Sequence, residues 1–404
     1  MVEHPELTFR KAYLLKAQTP IIHFQYDQSG AALRPSEVKP KLDRYLRKVY
    51  GGEIPKTWLV SDQTQALRYQ MRIIACGSDK LDGIKIRDCK AYFGNMGNGV
   101  DSKDLVFRDC LLEINCFIPE LMQLIDQYIG SFFVLHNFGT RQSKGFGGFL
   151  VEGKTTQSQV SRVIQQNCPY FFYTDFPANT DLKGRLNHAM VVYACLKNGI
   201  SMGNRGFPGY ATNEYLSEDI GNDKEFIQDF IMQTGQKPYS RYAFIRAVLG
   251  LAENFDYRQK GLVKVIQIQG TELRNKTPYI PLESMREGLG IKRFQSPVLI
   301  KIFENKMYFI LQDTYKEILG KAFILMKERD WSPIKSMIER KQYAKAQQVL
   351  QSNAKAISTP EQFDAERFMH DFVDYFNKER DALRRCPRDW KPSADLVLKK
   401  GGQG

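Results

Sequence analysis

The chain has 404 residues, enough for two ordinary domains, and its 43% apolar and 12% aromatic residues are those of a packed globular protein. No apolar run approaches the roughly eighteen residues that a membrane span needs, so no membrane partner is expected. A formal charge of +13 and a pI near 9.2 create a field that draws polyanions, nucleic acid first among them, although a generically basic protein would carry the same surplus.

The N-terminal stretch MVEHPELTFRKAYLL starts acidic and lacks the continuous apolar core of a secretory signal, which places the protein in the cytoplasm. From Thr8 to Gln25 the chain reads as an opening strand, with Thr19-Pro20 permitting an edge or a bulge. After a turn at Asp27 to Gly30, LRPSEVKPKLDRYLRKVYGG predicts a helix with Ser36 as N-cap, Pro40 in the first turn and Gly51-Gly52 as the stop. Thr57 to Cys76 and Gly83 to Tyr92 contain short strand-like pieces, followed by the polar loop NMGNGVDSKD. LVFRDCLLEINCFI alternates as a core strand does. PELMQLIDQYIG puts Leu121, Leu124, Ile125, Tyr128 and Ile129 on one face of a helix begun by Pro119.

Helices are expected over Asp181 to Lys197 and Asp223 to Met232, and a hairpin over Arg293 to Leu311 turning at Glu304 to Lys306. Asp330 to Arg385 predicts two helices separated near SNAKAISTPEQF, with Ser358 or Thr359 before Pro360 as the second start; Phe368, Phe372, Tyr375 and Phe376 form a stripe suited to a core. KPSADLVLKKGGQG reads as a loose end. The fold class is therefore α+β: an RRM-like or ferredoxin-like domain over residues 1–155, a second α+β half over 156–328, and a helical C-terminal region over 329–404.

Seven cysteines (Cys76, Cys89, Cys110, Cys116, Cys168, Cys195 and Cys386) are odd in number and irregular in spacing, with no Cys-x-x-Cys pair. That pattern supports neither a disulfide framework nor a zinc site, and no metal or cofactor is expected. The stretch with the most chemical content is HNFGTRQSKGFGGFLV, His136 to Val151. Gly139, Gly145, Gly147 and Gly148 would let backbone N–H groups approach a ligand, Arg141 and Lys144 would meet phosphate, and Phe146 offers a stacking face. The spacing is not that of a Walker A loop or a dinucleotide fingerprint, and a surface hairpin would have the same composition. A second basic group, Arg34, Lys39, Lys41, Arg44, Arg47 and Lys48, lies at and along the first helix, whose N-terminus favours anions; a solvated basic face is the plainer alternative.

Thr19-Pro20-Ile21-Ile22-His23, the turn with Gly30, and Leu33-Arg34-Pro35-Ser36-Glu37-Val38-Lys39-Pro40-Lys41-Leu42-Asp43-Arg44 resemble the opening strand and first helix of the RAMP (repeat-associated mysterious protein) superfamily of CRISPR systems. That superfamily shows a Thr-Pro strand and a Ser-x-x-Lys-Gly-x-x-Arg helix start. Ser36 and Lys39 match, Arg44 falls one residue late, and Pro40 stands where glycine is usual. Phe138 to Gly147 resembles the superfamily's Gly-x-Arg-x-(Arg/Lys)-Gly-(Phe/Tyr)-Gly loop, and Arg293-Phe294-Gln295-Ser296-Pro297-Val298 resembles an Arg-x-x-Ser-Pro strand of two-domain type III members. The resemblance covers the first 150 residues and residues 240 to 310. It implies an RRM-like fold whose Gly-rich loop holds RNA, and assembly into, or evolution from, a CRISPR ribonucleoprotein, with other effector subunits as expected partners.

The RNA-binding residues expected on these grounds are Arg34, Ser36, Lys39, Arg44, Gly139, Arg141, Lys144, Gly145, Phe146 and Gly147, with single-stranded guide or target RNA as partner. Some RAMP proteins cleave RNA with a histidine, which makes His23 and His136 the candidates for a metal-independent nuclease, whereas His4 reads as terminal and His188 and His370 sit in helical patterns. Asp27 lies too early, and Asp43 too deep in a helix, to carry over the metal-dependent cleavage of the superfamily's backbone subunits. GNRGFPGY, Gly203 to Tyr210, repeats the glycine, arginine and aromatic grammar of the first loop, but without a fixed spacing it reads as an irregular surface loop before a counterpart of that loop. A third reading is a scaffold whose basic loop meets an acidic protein.

Overall fold

The computed structural model describes residues 9–22, 33–61, 63–77, 80–85, 104–200, 207–216, 220–232, 242–251, 254–257, 263–274, 277–279, 285, 294–353, 355–383 and 396–402. The first strand, β1 (Arg10–Ala17), stops short of the Thr-Pro pair, because Pro20 has no N–H to continue a ladder. Beyond it, Ile22 bridges to Thr140. The helix α1 (Pro35–Tyr50) begins earlier than the sequence predicts: extended Arg34 is its N-cap and Pro35 its first residue, where a fixed φ suits the helix and a missing N–H costs nothing. Ser36 therefore lies inside the first turn instead of capping it, and Pro40 falls in the helix interior. Gly51, left-handed at φ 72°, ends α1 as expected.

The chain continues through β2 (Gln70–Ala75), β3 (Lys80–Lys85), β4 (Asp104–Val106) and β5 (Cys110–Asn115) to α2 (Pro119–Leu135) and β6 (Phe149–Val151). Leu121, Ile125 and Ile129 of the predicted face of α2 are buried, and the helix runs past the predicted end because Phe132 and Phe133 extend the same apolar stripe. Next come α3 (Gln157–Asn167), started by a capping box between Thr156 and Gln159, then β7 (Phe171–Asp175) and α4 (Leu182–Lys197). Most of the strand expected over Gly83 to Tyr92, and the loop after it, lie outside the described residues, as do His4, His23 and Asp27.

The later elements are β8 (Gly199–Ile200), β9 (Phe207–Pro208), β10 (Gly221–Asn222), α5 (Asp223–Met232), β11 (Tyr242–Ala243), α6 (Ile245–Val248), β12 (Asn254–Tyr257), β13 (Val263–Arg274) and β14 (Thr277–Tyr279). The predicted hairpin is β15 (Val298–Ile302) and β16 (Lys306–Leu311), closed by Phe303 N–H on the Lys306 carbonyl at 2.8 Å. After β17 (Ala322–Lys327) come α7 (Glu328–Glu339), α8 (Tyr343–Asn353), β18 (Lys355–Ser358), α9 (Ala365–Leu383) and β19 (Lys399–Lys400).

Three helices thus stand where the sequence predicts two, and the separating segment holds a strand. Helix α9 starts at Asp364, whose carboxylate accepts from Arg367 N–H at 2.9 Å, and not at Ser358 or Thr359. Thr359 is buried instead, donating to the Ile318 carbonyl at 2.6 Å. The tail is not loose: Lys399 and Lys400 pair with β7 while Leu396 and Leu398 are buried.

The chain divides into two compact units, Met1–Val191 with Leu299–Ile310 and Pro392–Gly404, and Val192–Val298 with Leu311–Lys391. In the first unit a four-stranded antiparallel sheet has the order β2-β5-β1-β6, which is the ferredoxin-like order for two βαβ halves in which α1 joins β1 to β2 and α2 joins β5 to β6. Tyr13, Leu15, Leu112, Ile114, Phe149 and Val151 on one face of this sheet share a core with Val38, Leu42 and Leu46 of α1 and Leu121, Ile125 and Ile129 of α2. A second sheet, β15-β16-β7-β19, packs Leu299, Tyr308 and Ile310 with Val160 and Ile164 of α3 and Val134 of α2. The second unit holds a seven-stranded sheet in the order β10-β11-β18-β17-β13-β12, with β14 beside β13.

Candidate nucleic-acid interface

Residues 136–148 connect α2 to β6. Asn137 bridges to Gly148, Thr140 bridges to Ile22, and Phe138 N–H donates to the Gly147 carbonyl at 3.0 Å. At the tip is a 3-10 turn, Gln142–Lys144, held between two left-handed residues, Arg141 at φ 60° and Gly145 at φ 89°. A left-handed arginine costs roughly 1–2 kcal/mol against a glycine or an ordinary conformation, and such strain collects where a side chain has work to do. The N–H groups do not open into a phosphate cradle as the composition predicts. Gly139 N–H donates to Glu37 Oε1, Gly147 N–H to the Pro20 carbonyl and Gly148 N–H to Thr19 Oγ1, each at 2.8 Å.

The glycines serve close packing of the loop on its own framework. Gly147, at φ 72°, lies so near the Phe138 carbonyl that a Cβ would overlap it, and a Cβ on Gly145 would stand 2.7 Å from Ile302 Cδ1. Phe146 has no exposed surface, which corrects its reading as a stacking face: its ring is spent inside the protein. Arg141 and Lys144, both half-buried, are the cations that the loop carries, and the Nζ of Lys144 is itself buried.

Helix α1 meets this loop through its first turns. Glu37 accepts from Gly139 N–H, and the next acidic-basic step, Lys41, bonds Glu37 Oε1 at 3.0 Å, the Asn137 carbonyl at 3.0 Å and Gln142 Oε1 at 2.7 Å, with its Nζ 4.8 Å from the centre of the Phe138 ring. Lys39 is engaged elsewhere: its Nζ donates to Asp43 Oδ2 at 2.8 Å and to the Leu67 carbonyl at 2.9 Å, and lies 4.2 Å from the Tyr69 ring centre. Asp43 is buried and also accepts from Leu67 N–H, so Lys39 and Asp43 form an internal pair. Ser36 and Arg44 are exposed and Arg34 is half-buried. The basic cluster read from the sequence therefore splits: Lys39 and Lys41 are struts, Arg34 stands at the helix start next to the turn that meets the loop, and Arg47, in the last turn of α1, donates to Gln65.

Beneath the loop lies a residue that the motif reading misses. Lys301 in β15 has no exposed surface, and its Nζ donates to the carbonyls of Phe133 at 3.2 Å and His136 at 2.8 Å and to Asn137 Oδ1 at 2.7 Å. The available signal was a lysine inside the apolar run VLIKIF. His136 closes α2, with Nδ1 2.9 Å from the Phe132 carbonyl and its ring packed against Tyr45 and Phe132. Burial, then the charges of Lys301, Lys41 and Arg44, bring its pKa down to about 4, against the hydrogen bond to Phe132.

In the second unit, Phe207 and Tyr210 from the second glycine-aromatic segment pack on α9, with Tyr210 5.6 Å from Phe372 and Phe207 5.5 Å from Tyr375 between ring centres. Phe368, Phe372 and Phe376 have no exposed surface, as the stripe predicts. Gly203 to Gly206, and Arg293 of the third motif, lie outside the described residues; Ser296 of that motif lies 3.3 Å from Tyr193 Oη. Among the described residues no group of three or more His, Cys, Asp or Glu is placed to hold a metal ion, and no helix is long and apolar enough to cross a membrane.

A family model of the Cmr1 N-terminal domain matches residues 9–200, and one of the Cmr1 C-terminal domain matches residues 207–386. A search of curated proteins finds no match. Among solved structures, apo Cmr1 from Pyrococcus furiosus is similar at 10% identity over 76% of this chain and 89% of that chain, with a TM-score of 0.35. Two consecutive domain models span nearly the whole sequence, in the order in which the two loop-bearing halves occur, and the chain belongs to the Cmr1 family of RAMP proteins of type III CRISPR systems.

Proposed function

We propose that this chain is an RNA-binding subunit of a type III CRISPR effector complex, and that the loop 136–148 with the start of α1 holds the backbone of single-stranded guide or target RNA. The observation that carries the reading is convergence: Glu37 and Lys41 bind Gly139, Asn137 and Gln142 across a hundred residues of sequence, so Arg141 and Lys144 share one neighbourhood with Arg34 and Arg44. Arg34, Arg44 and Arg141, together with Lys144 once its buried Nζ turns outward, suit a phosphate chain, and the left-handed φ of Arg141 supports a role for that side chain beyond the turn. With Phe146 inside the protein, recognition rests on backbone charge more than on base stacking.

Filter binding of a labelled oligonucleotide across a salt series tests this. Each phosphate contact contributes roughly 0.7 to the slope of log affinity on log salt for single strands, so four contacts give a slope of about 3, and Lys144→Ala or Arg141→Ala lowers it by about 0.7 while weakening all sequences alike. If both variants fold and bind as the parent does, the loop is not the interface. Weak binding of RNA by the parent, with capture of an acidic protein, would favour the scaffold reading. The nuclease reading gains nothing from His136, whose Nδ1 lies on the Phe132 carbonyl and whose ring is packed against Tyr45 and Phe132.

A further inference from the structure

We propose that Lys301, together with Asn137, positions the Gly-rich loop and so sets RNA affinity without touching RNA; the inference rests on the RNA-binding reading above. Lys301 is fully buried, and its hydrogen-bond partners Phe133, His136 and Asn137 all belong to the first unit. The carbonyls of Phe133 and His136 that it binds lie at the C-terminal end of α2, where the helix leaves carbonyls without intrahelical partners and its dipole is negative. Its third acceptor, Asn137 Oδ1, belongs to a residue that is 2% exposed and whose amide donates to the Gln142 carbonyl at 2.8 Å and the Ile300 carbonyl at 2.9 Å. One ammonium and one amide therefore connect the end of α2, the strand below, and the turn that carries Arg141 and Lys144.

An apolar residue would fill this strand position without the penalty of burying a charge, so the three hydrogen bonds are what a lysine supplies here. Among the described residues no carboxylate contributes to the charge environment of Lys301. The groups around it are His136 at the end of α2, Lys41 of α1, whose charge opposes the ammonium, and Cys168 after α3, which acts the other way; Glu37 is paired with Lys41. Burial first, and Lys41 second, bring the Lys301 pKa from 10.5 down to about 7. An ammonium has three donors for three acceptors, whereas the neutral amine has two. Raising the pH through this range removes one strut from the loop.

The effect on overall stability has the opposite sign. Between pH 7 and 10.5 the unfolded chain holds a proton on this lysine that the folded chain does not, so this group makes stability rise with pH. A residue that merely supported the fold would make affinity follow stability. A positioning residue makes the two diverge, affinity falling while stability rises.

The test uses the full chain and a labelled oligouridine as probe, with affinity read against salt and, for the parent, between about pH 6 and pH 9, alongside urea midpoints at each pH. Lys301→Met is expected to weaken binding about tenfold at every salt concentration, the equivalent of one lost hydrogen bond, with the salt slope of the parent and a flat pH profile. Should that variant fail to fold, Asn137→Leu, which removes the link to Gln142, is read in the same way. Parent-like affinity in the folded variant, a slope lowered by about 0.7, or parent affinity that rises with pH would overturn the proposal. The two readings separate cleanly: if Lys144→Ala lowers the slope while Lys301→Met leaves affinity unchanged, only the positioning role fails, and if neither variant alters binding, the RNA reading fails with it.

Discussion

Lys39 and Lys144 look alike in the sequence, each a basic residue in a motif, yet their surroundings separate them. Lys39 neutralises buried Asp43 and donates to the Leu67 carbonyl, so Lys39→Met leaves a buried carboxylate without its counter-charge. The expected cost is about 3 kcal/mol of stability with no change in the salt slope of RNA binding, checked by urea unfolding beside filter binding. Gly147 offers the complementary case. Valine there combines a left-handed backbone with overlap on the Phe138 carbonyl, and Gly147→Val should cost about 3 kcal/mol or more, read as a lowered urea midpoint at an unchanged m-value. The loss would come from the loop's own packing before any ligand is involved.

At the scale of elements, α1 carries an internal contradiction. Pro40 lies in its second turn, on the exposed side, where it removes the N–H that would bond the Ser36 carbonyl. Pro40→Ala should restore that bond and stabilise the protein by about 1–3 kcal/mol, measurable as a raised urea midpoint. The related superfamily pattern places glycine at this point, a residue that also loosens the helix start but keeps the N–H. Helix α1 tolerates the proline because its apolar stripe, Val38, Leu42, Tyr45 and Leu46, is buried and Lys41 and Glu37 tie its first turns to the loop. The same dependence on packing explains why the N-cap is Arg34 and not Ser36: with Glu37 bonded to the loop, the first turn is set by tertiary contacts and not by a capping hydroxyl.

For the whole molecule, pH dependence follows from bases buried in neutral form. His136 ionises near 6.5 when unfolded and at about 4 when folded, so between those values the unfolded chain holds the extra proton and stability falls as the solution is acidified. That group should account for about 2–3 kcal/mol across the window, and His136→Phe should flatten the acid limb of a plot of urea midpoint against pH. At still lower pH Asp126 enters. Burial pushes its carboxyl up, but hydrogen bonds from Lys154, Lys11 and Tyr13 outweigh this and hold it at about 2, so its contribution is present above 3.8 and is lost as pH falls through 2.

Local pattern was enough for much of the first unit. The strand-helix order, the face of α2, the place of the glycine loop and, beyond that unit, the α9 stripe and the turn of the β15-β16 hairpin all depend on contacts within a few turns or on periodicity, which a single sequence contains. The Gly-Arg-Lys-Gly spelling likewise falls on the turn between α2 and β6. What each residue of that loop does was settled only by segments distant in sequence: Pro20, Thr19 and Glu37 take the glycine N–H groups, and Lys301 arrives from a hairpin more than 150 residues away. The grouping of residues 299–310 and 392–404 with the first unit has the same origin, since a short strand such as Lys399–Lys400 gains its partner from β7 and has no local hydrogen bonds of its own to announce it. Hydrogen bonding between strands and the burial of single charges are non-local by nature, and only the folded chain assigns them.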